Sequence, residues 1–330
     1  MPSDVVVESS IEIDHITHFY KKNQNILEDV NLSLGTGLFG LLGANGAGKS
    51  TLMRIICTLL VPKEGSARVC GYDVVKDCRQ VRELIGYLPQ EFSAWRLHRV
   101  EEVLDTLAQI SGMTNKKIRR ARVAEVLESV GLDAVADRKV KKLSGGMVRR
   151  LGVAQALVHE PQVLIVDEPT VGLDPEERMR FRQLMTQLGR DRTILLSTHI
   201  VADLGSGVSQ IAILDDGNIS FQGEPTELLN RAQDFVYRIP SSEEGLLSDE
   251  LDFEIVSREG FDQDATVRVV VDDPDAVPSS AEKVNDPSLE EAYLAFMAAR
   301  GKLSTARQIE EELDAKAKKK QERMKLKKLR

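Results

Sequence analysis

One glycine-rich segment constrains this chain more than any other part of its sequence. GANGAGKS, Gly43–Ser50, fits the pattern G-x-x-x-x-G-K-[S/T]. It lies between the apolar run GLFGLLG, which has the length of a strand, and STLMRIICTLL, which has helical character. Glycines let such a loop turn its N–H groups inward, and the start of the next helix adds a positive field. The segment therefore predicts a phosphate-binding loop between a buried strand and a helix.

Four polar residues predict what this loop binds. Lys49 is expected to reach the β- and γ-phosphates of a nucleotide, and Ser50 to ligate Mg²⁺. About 120 residues later, QVLIVDEP reads as a buried strand that ends at Asp167, which can orient Mg²⁺ through water. Glu168 comes next, points elsewhere, and can polarise an attacking water as a general base. Together these residues predict a site that binds a nucleotide with Mg²⁺ and hydrolyses it.

A second glycine-containing segment raises a separate question. LSGGM, Leu143–Met147, runs directly into VRRLGVAQALV, an apolar segment of helical length. Ser144 is placed to accept a hydrogen bond from the start of that helix, as N-cap residues do. A helix start with a serine and two glycines is also a good place to hold an anion. The chain thus carries two candidate phosphate cradles about 100 residues apart.

The pattern of apolar runs predicts an α/β domain up to about residue 228. Residues 11–42 favour strands, and QVLIVDEP and RTILLSTH are continuous apolar runs typical of a parallel sheet covered on both faces. Helical periodicity dominates residues 100–160, for example through Val123, Val126, Leu127 and Val130. Strands that alternate with helices indicate an α/β architecture.

The pattern of apolar and polar residues changes near Ala232. Short alternating runs separated by acidic and Gly/Pro/Ser-rich turns predict a small α/β appendage over 232–301. Its final helix is expected to begin with a capping box of Ser288 and Glu291 and to end near Gly301. The expected apolar stripe of that helix consists of Leu289, Ala292, Tyr293 and Phe296. Residues 302–330 are expected to form a charged tail.

Charge and cysteine content exclude several classes. The net charge is −8 and the pI is about 5.4, which argues against a nucleic-acid partner. Lys316–Arg330 nevertheless carries nine basic residues and one acidic residue, so this tail either is solvated or contacts an anionic membrane surface. Three cysteines without a C-x-x-C pair predict reduced thiols in the cytoplasm. The first ten residues lack the features of a signal peptide, and no run approaches 18 apolar residues.

Taken in order, these motifs resemble those of the ATP-binding cassette (ABC) ATPases, over about residues 11–228. Gly43–Ser50 resembles the Walker A loop, and Asp167-Glu168 resembles Walker B with its catalytic glutamate. LSGGM resembles the signature that defines the family, although the commonest signature ends in Gln and this one in Met147. Since the serine and the glycines that contact phosphate are retained, the resemblance still implies a working signature.

Four further positions resemble motifs of the same family. Gln90 in GYLPQEF resembles the Q-loop glutamine, and His199 in STHI the switch histidine. GLDP, Gly172–Pro175, resembles the D-loop, and Tyr20 stands where the family places an aromatic ring that stacks on adenine.

The resemblance implies three sets of site residues. Glu168, His199 and Gln90 are expected to be catalytic, and Ser50, Gln90 and Asp167 to bind the metal. The expected ATP contacts are Tyr20, Gly43, Asn45, Gly46, Gly48, Lys49, Ser50, Thr51, Ser144, Gly145, Gly146 and Asp174.

The resemblance also implies a fold and a domain arrangement. The expected fold is a P-loop NTPase core with a mainly parallel sheet, an antiparallel β subdomain and a helical signature subdomain over about 91–160. The predicted domains are an ATPase domain at 1–231, the accessory domain at 232–301 and the tail at 302–330.

In this family the signature of one cassette closes over the ATP that is bound by the Walker A loop of a second cassette. One cassette in this chain therefore predicts a homodimer with two-fold symmetry. The motifs look most like the branch that exports drugs, peptide antibiotics or lipids through separate permease subunits at the cell membrane. An importer ATPase with a regulatory C-terminal domain, and a soluble cassette ATPase without a transport role, stay open as alternatives.

Overall fold

The computed structural model describes residues 10–21, 24–205, 207–242, 253–260 and 265–302. The strands are β1 (Ile11–Lys21), β2 (Gln24–Leu34), β3 (Gly37–Leu42), β4 (Glu64–Val69), β5 (Tyr72–Asp73), β6 (Ile85–Leu88), β7 (Val163–Asp167), β8 (Thr193–Thr198), β9 (Gln210–Asp215), β10 (Asn218–Gly223), β11 (Val236–Pro240), β12 (Phe253–Glu259), β13 (Thr266–Val271) and β14 (Glu282–Lys283). The helices are α1 (Lys49–Ile56), α2 (Cys78–Leu84), α3 (Val100–Ile110), α4 (Lys116–Ser129), α5 (Gly145–Leu157), α6 (Pro175–Leu188), α7 (Pro225–Ala232) and α8 (Leu289–Ala298).

The chain divides into two compact units, Met1–Gln222 and Gly223–Arg330. The sequence placed the boundary later, between residues 231 and 232. The two boundaries differ by α7, which packs against α8 and so belongs to the second unit. The basic tail lies outside the described residues.

The main sheet of the first unit has the strand order β10-β9-β3-β8-β7-β6. Strands β3, β6, β7, β8 and β9 pair in parallel, which confirms the predicted parallel sheet. Every residue of β3, β7 and β8 is buried, as the continuous apolar runs indicated. Leu42 pairs with Thr198 and Leu88 with Val166, so the carboxyl ends of four neighbouring strands lie along one edge.

A second, antiparallel sheet in this unit has the order β2-β1-β4-β5. Helix α1 contacts strands of both sheets, and its buried residues Leu52, Ile55 and Ile56 join the main hydrophobic core. Burial of this apolar surface fixes the helix that begins at the phosphate loop.

Helices α3, α4 and α5 pack against one another in the range predicted for the helical subdomain. Val123, Val126, Leu127 and Val130 are buried, which confirms the stripe expected for α4. The fold class expected from the sequence is therefore the observed one.

The second unit contains a four-stranded sheet in the order β12-β13-β11-β14. Val267, Val269 and Val271 of β13 form a small core with Ile239. Helix α8 packs against β12 and β13, and Arg268 of β13 forms a two-pronged ion pair with Glu291 of α8 at 2.7 and 2.9 Å.

The start of α8 is as expected, but its buried face is not. Ser288 and Glu291 form the predicted capping box, and Gly301 has a left-handed φ of 67° just after the helix. The predicted stripe was wrong in part. Ala292 is buried, but Leu289, Tyr293 and Phe296 are only half-buried, while the most buried side chains include those of Leu294, Ala295, Met297 and Ala298. A single stripe is too narrow because α8 contacts both α7 and the sheet.

Candidate active site

Four of the predicted site motifs follow four neighbouring strands of the parallel sheet. The loop Gly43–Ser50 follows β3, His199 follows β8, Asp167 ends β7 and Gln90 lies shortly after β6. Because the carboxyl ends of these strands share one edge, residues that are far apart in sequence meet there.

The glycines of the phosphate loop adopt backbone angles that other residues avoid. Gly46 and Gly48 have φ values of 90° and 107°, in the left-handed region. A Cβ atom on Gly48 would lie 2.7 Å from the carbonyl oxygen of Ile26, which leaves no room for a side chain. Gly48 is also the N-cap of α1, so no side chain caps the first N–H groups of that helix. These donors can bind an anion.

The ammonium group of Lys49 is buried among oxygen atoms. Its Nζ donates to the carbonyl oxygens of Gly43 at 2.6 Å and Ala44 at 3.0 Å. It also lies 3.4 Å from Oε1 of Glu168. Burial lowers the pKa of Lys49, and the negative charge of Glu168 opposes that effect. The loop thus places a cation where phosphate oxygens could replace the carboxylate.

Glu168 is the residue on which the predicted site converges. Gln90 Nε2 donates to its Oε2 at 3.0 Å, and His199 Nδ1 lies 3.2 Å from its Oε1, on the same oxygen as Lys49. The carboxylate is 8% exposed. Burial raises the pKa of Glu168, but the close His199 ring and the charge of Lys49 outweigh burial, so its pKa lies below the ordinary value. Glu168 is therefore ionised at neutral pH, as a general base must be.

The backbone at Glu168 is unusual for a residue with a side chain. Its φ is 42°, in the left-handed region. Its N–H is held by the carbonyl and hydroxyl oxygens of Ser197, both at 3.1 Å. The Ser197 hydroxyl donates in turn to Oδ1 of Asp167 at 2.6 Å. The two consecutive carboxylates are therefore anchored separately, which fits their different predicted roles.

Tyr20 lies beside the phosphate loop, with its ring 58% exposed. Its hydroxyl is 3.3 Å from Oγ1 of Thr51, and the ring of His18 packs against it edge-on at 5.1 Å between centroids. These contacts orient an aromatic face that is open to solvent.

The signature segment lies at the start of α5. Ser144 is exposed, and its Oγ accepts a hydrogen bond from the N–H of Met147 at 3.1 Å, which confirms the predicted cap. Asp174 caps α6 in the same way, through a bond from the N–H of Glu177 at 2.9 Å. Among the residues that the structure describes, no hydrogen bond or ion pair joins Ser144, Gly145 or Gly146 to the loop 43–51. The structure thus brings the two cradles into no direct polar contact within one chain.

Comparison with known proteins identifies the family. The Nod factor export ATP-binding protein I of Paraburkholderia xenovorans is 36% identical over 224 residues, which span 67% of this chain and 73% of that protein. The linearmycin resistance ATP-binding protein LnrL of Bacillus subtilis is 35% identical, over 67% of this chain and 71% of that protein. A family profile described as ABC transporter matches residues 27–171. The chain belongs to the ABC transporter family.

Solved structures of ABC cassettes have the same fold. The dimeric structure of a bacterial ABC transporter cassette matches with a TM-score of 0.58 and 27% identity, over 65% of this chain and 98% of that one. A dimeric cassette in a post-hydrolysis state, bound to ADP and Pi, matches with a TM-score of 0.58 and 26% identity, over the same shares. The chain is accordingly an ATP-binding subunit of the ABC transporter family and an ATPase. Within its described residues, no helix is long and apolar enough to cross a membrane.

One residue near the ABC active site was missed by sequence reasoning. Arg149, in α5, is 8% exposed and donates to three backbone carbonyl oxygens of the segments that carry Gln90 and Glu168. Burial lowers the pKa of its guanidinium, which Asp167 and Glu168 oppose. The available signal was an arginine pair inside the apolar run VRRLGVAQALV, where a buried charge requires partners.

Proposed function

We propose that this ABC ATPase drives a separate membrane permease, that it acts as a dimer, and that the direction of transport is export. The proposed catalysis is supported by the contacts of Lys49, Gln90 and His199 with the carboxylate of Glu168. A buried carboxylate with a lowered pKa, beside a phosphate loop, has the chemistry of a base that polarises water.

In this mechanism the charges at the site are exchanged when ATP binds. Lys49 moves its charge from Glu168 to the β- and γ-phosphates, and the loop N–H groups and the start of α1 bind the remaining oxygens. Glu168 is then free to orient the attacking water and to accept its proton. Gln90 and His199, which already contact the carboxylate, hold it in position.

The oxygen donors at this edge fit Mg²⁺. Ser50 offers a hydroxyl, Asp167 a carboxylate and Gln90 an amide oxygen, which are ligand types that this hard cation prefers. In the described residues no cluster of three or more His, Cys, Asp or Glu could hold a metal alone. This agrees with an ion held by few protein groups together with phosphates. Ser50, Asp167 and Gln90 would hold the ion, and it would supply positive charge to offset the negative charge that develops on the phosphates.

Dimer formation supplies the second cradle. Ser144 and Gly145 are exposed, and among the residues that the structure describes the serine hydroxyl accepts one hydrogen bond, from the N–H of Met147. We infer that Ser144, Gly145 and Gly146 bind the γ-phosphate of ATP in a partner cassette. Asp174, in the segment that resembles the D-loop, is proposed to contact the same ATP. ATP then closes the dimer and hydrolysis opens it.

The permease contact is proposed at the segment after Gln90. Trp95 is 46% exposed and Leu97 is 69% exposed, and large apolar side chains at such exposure favour a binding surface. Export is supported by the relatives, which are described as export and resistance proteins. The chain would then lie at the inner face of the cell membrane, held there by the permease. The separate core of the second unit leaves a regulatory role, as in the importer alternative, as the second candidate.

Coupling to a permease is tested by reconstitution. We expect the full chain to copurify with a polytopic membrane protein, and its ATPase rate to change in vesicles that contain this protein. Trp95→Ala with Leu97→Ala should abolish the rate change and leave the ATPase rate of the isolated subunit as it was. Ile110→Ala, at a residue 73% exposed, is the matched control. The proposal would be contradicted if the chain copurified with ribosomes alone and no membrane protein changed its ATPase rate.

A further inference from the structure

We propose that Arg149 is a positioning residue for ATP hydrolysis, which holds the base Glu168 and the Q-loop residue Gln90 in one fixed arrangement. This inference rests on the proposed function, in which Glu168 activates water. Arg149 itself touches neither carboxylate through a hydrogen bond within the described residues; it acts through the backbone.

The guanidinium group of Arg149 binds three carbonyl oxygens on two segments. Nε donates to Pro169 O at 2.8 Å, and Nη2 donates to Glu168 O at 2.8 Å. Nη1 donates to Pro89 O at 3.0 Å. Since the planar guanidinium presents its donors in a rigid fork, the positions of these three carbonyls are fixed relative to one another. An ammonium group, with one nitrogen, cannot replace that geometry.

These bonds act where the backbone is strained. Glu168 has a φ of 42°, which a residue with a Cβ atom adopts only when its surroundings enforce it. Arg149 binds the carbonyl of Glu168 and the carbonyl of Pro169, so it holds the backbone that follows the strained residue. Ser197 holds the N–H of Glu168 from the neighbouring strand. The direction in which the carboxylate leaves the backbone is therefore set on both sides of the residue.

The same bonds join Glu168 to the Q-loop in a closed ring. Pro89 precedes Gln90, and Gln90 Nε2 donates to Glu168 Oε2 at 3.0 Å. The ring thus runs from Arg149 to Pro89, through Gln90 to Glu168, and back to Arg149. Because a buried guanidinium is nearly inaccessible to water, these bonds have no ready substitute when the side chain is removed.

Arg149 also connects the ring to the signature segment. It lies in α5, five residues after Ser144, so the two are about 7.5 Å apart along the helix axis. Helix α5 therefore carries both the signature serine at its start and the arginine that binds the segments of Glu168 and Gln90.

A double-mutant cycle tests the inference in the full chain. Arg149→Met should lower the single-turnover rate of ATP hydrolysis about 10- to 100-fold through misplacement of the carboxylate. ATP affinity, measured by calorimetry, should change less than about threefold, since no phosphate contact is removed. In a Glu168→Gln chain, the same substitution should lower the residual rate less than about twofold, because the base it positions is already absent.

Two further variants separate positioning from folding. Arg122, whose side chain is 12% exposed, donates to the carbonyls of Leu157 and Val158 at the other end of α5, so Arg122→Met removes an arginine that also binds backbone carbonyls but lies away from the site. We expect it to lower thermal stability and to keep the rate within about twofold of wild type. Arg149→Lys retains the charge and the fold but loses the fork, and should slow hydrolysis about tenfold.

The outcomes are distinguishable. If Glu168→Gln alone hydrolyses ATP at the wild-type rate, the assignment of the base fails. If Glu168→Gln is slow, three results overturn the role of Arg149: a wild-type rate for Arg149→Lys, a wild-type rate for Arg149→Met, or multiplicative losses in the double variant. A loss that appears only when Glu168 is present supports it.

Discussion

The two glycine-containing segments of this ABC ATPase differ in what satisfies their polar groups. In the loop Gly43–Ser50, Lys49 is buried and already paired, with two carbonyl oxygens and the carboxylate of Glu168. At the signature, Ser144 is exposed, and within the described part of the chain its hydroxyl binds only the start of its own helix. In the proposed function, the first segment exchanges its own counter-charges for those of ATP, and the second offers donors to the ATP of a partner cassette.

In the proposed dimer, this difference separates the interactions made within one chain from those made between two chains. Substitutions at the first segment should alter nucleotide binding and chemistry directly. Substitutions at the second should alter the stability of the monomer slightly and the closure of the dimer strongly.

The largest expected effect comes from the carboxylate of the first region. Glu168→Gln should reduce ATP turnover by roughly 10²- to 10⁴-fold, because the water loses its base. ATP binding should persist, and a closed ATP dimer should accumulate and be visible in size-exclusion chromatography. Glu176→Gln, at an exposed carboxylate of α6, is the matched control. Hydrolysis by Glu168→Gln at the wild-type rate would exclude this residue as the base.

A smaller loss is expected when the cation of the same region is removed. Lys49→Ala should weaken ATP binding about 100-fold, since charge-assisted hydrogen bonds to the phosphates are lost. Calorimetry of the purified chain measures this directly, with Lys116→Ala, at an exposed lysine of α4, as the control. Unchanged affinity for ATP would mean that the loop is not the nucleotide site.

The aromatic ring of Tyr20, beside the phosphate loop, should contribute less to ATP affinity than Lys49 does. Tyr20→Ala should lower ATP affinity about tenfold, because the exposed ring no longer stacks on adenine. Tyr20→Phe keeps the ring and removes only the contact with Thr51, so its affinity should stay within about twofold of wild type. Equal losses in the two variants would show that the hydroxyl, and not the ring, is responsible.

The smallest effect is expected at the second region when a single chain is measured. Ser144→Ala should lower the free energy of unfolding by about 1 kcal/mol through the lost helix cap. ATP affinity should not change. Ser288→Ala removes the equivalent cap from α8 and should destabilise its unit to a similar extent. A fall in ATP affinity of dilute monomeric Ser144→Ala would show that the signature acts on its own chain's nucleotide.

Much of the site could be predicted because the motifs follow neighbouring strands of a parallel sheet, whose carboxyl ends lie close together. Lys49, Gln90, Glu168 and His199 were assigned to one site from motifs, and the parallel sheet places the residues at one edge. The cap at Ser144 was also predictable, since it depends only on local sequence. Roles that require ATP, a metal or a second chain stay predictions.

The remaining features depend on tertiary packing and leave little local signal. The left-handed backbone of Glu168 and the three carbonyl partners of Arg149 arise only when β6, β7 and α5 come together. The buried face of α8 was misjudged for the same reason, because two neighbours cover it. The boundary before α7 likewise follows from a contact between helices and not from composition.

We propose that the two regions of one chain serve two different ATP molecules. A Ser144→Arg chain keeps its phosphate loop but is expected to lose its signature, and a Lys49→Ala chain is the reverse. Dimers of either variant alone contain no intact composite site, whereas mixed dimers contain one. Closure can be measured by crosslinking at Val171→Cys, an exposed residue of the loop before Asp174, in a background in which the partly exposed Cys70 and Cys78 are replaced by serine.

A mixture of the two variants distinguishes a shared site from a site within one chain. We predict ATP-dependent crosslinking, with partial ATPase activity if one intact site suffices, in the mixture and in neither variant alone. Closure and wild-type hydrolysis by Ser144→Arg alone would show instead that the second glycine segment serves as a helix cap and binds no ATP of a partner.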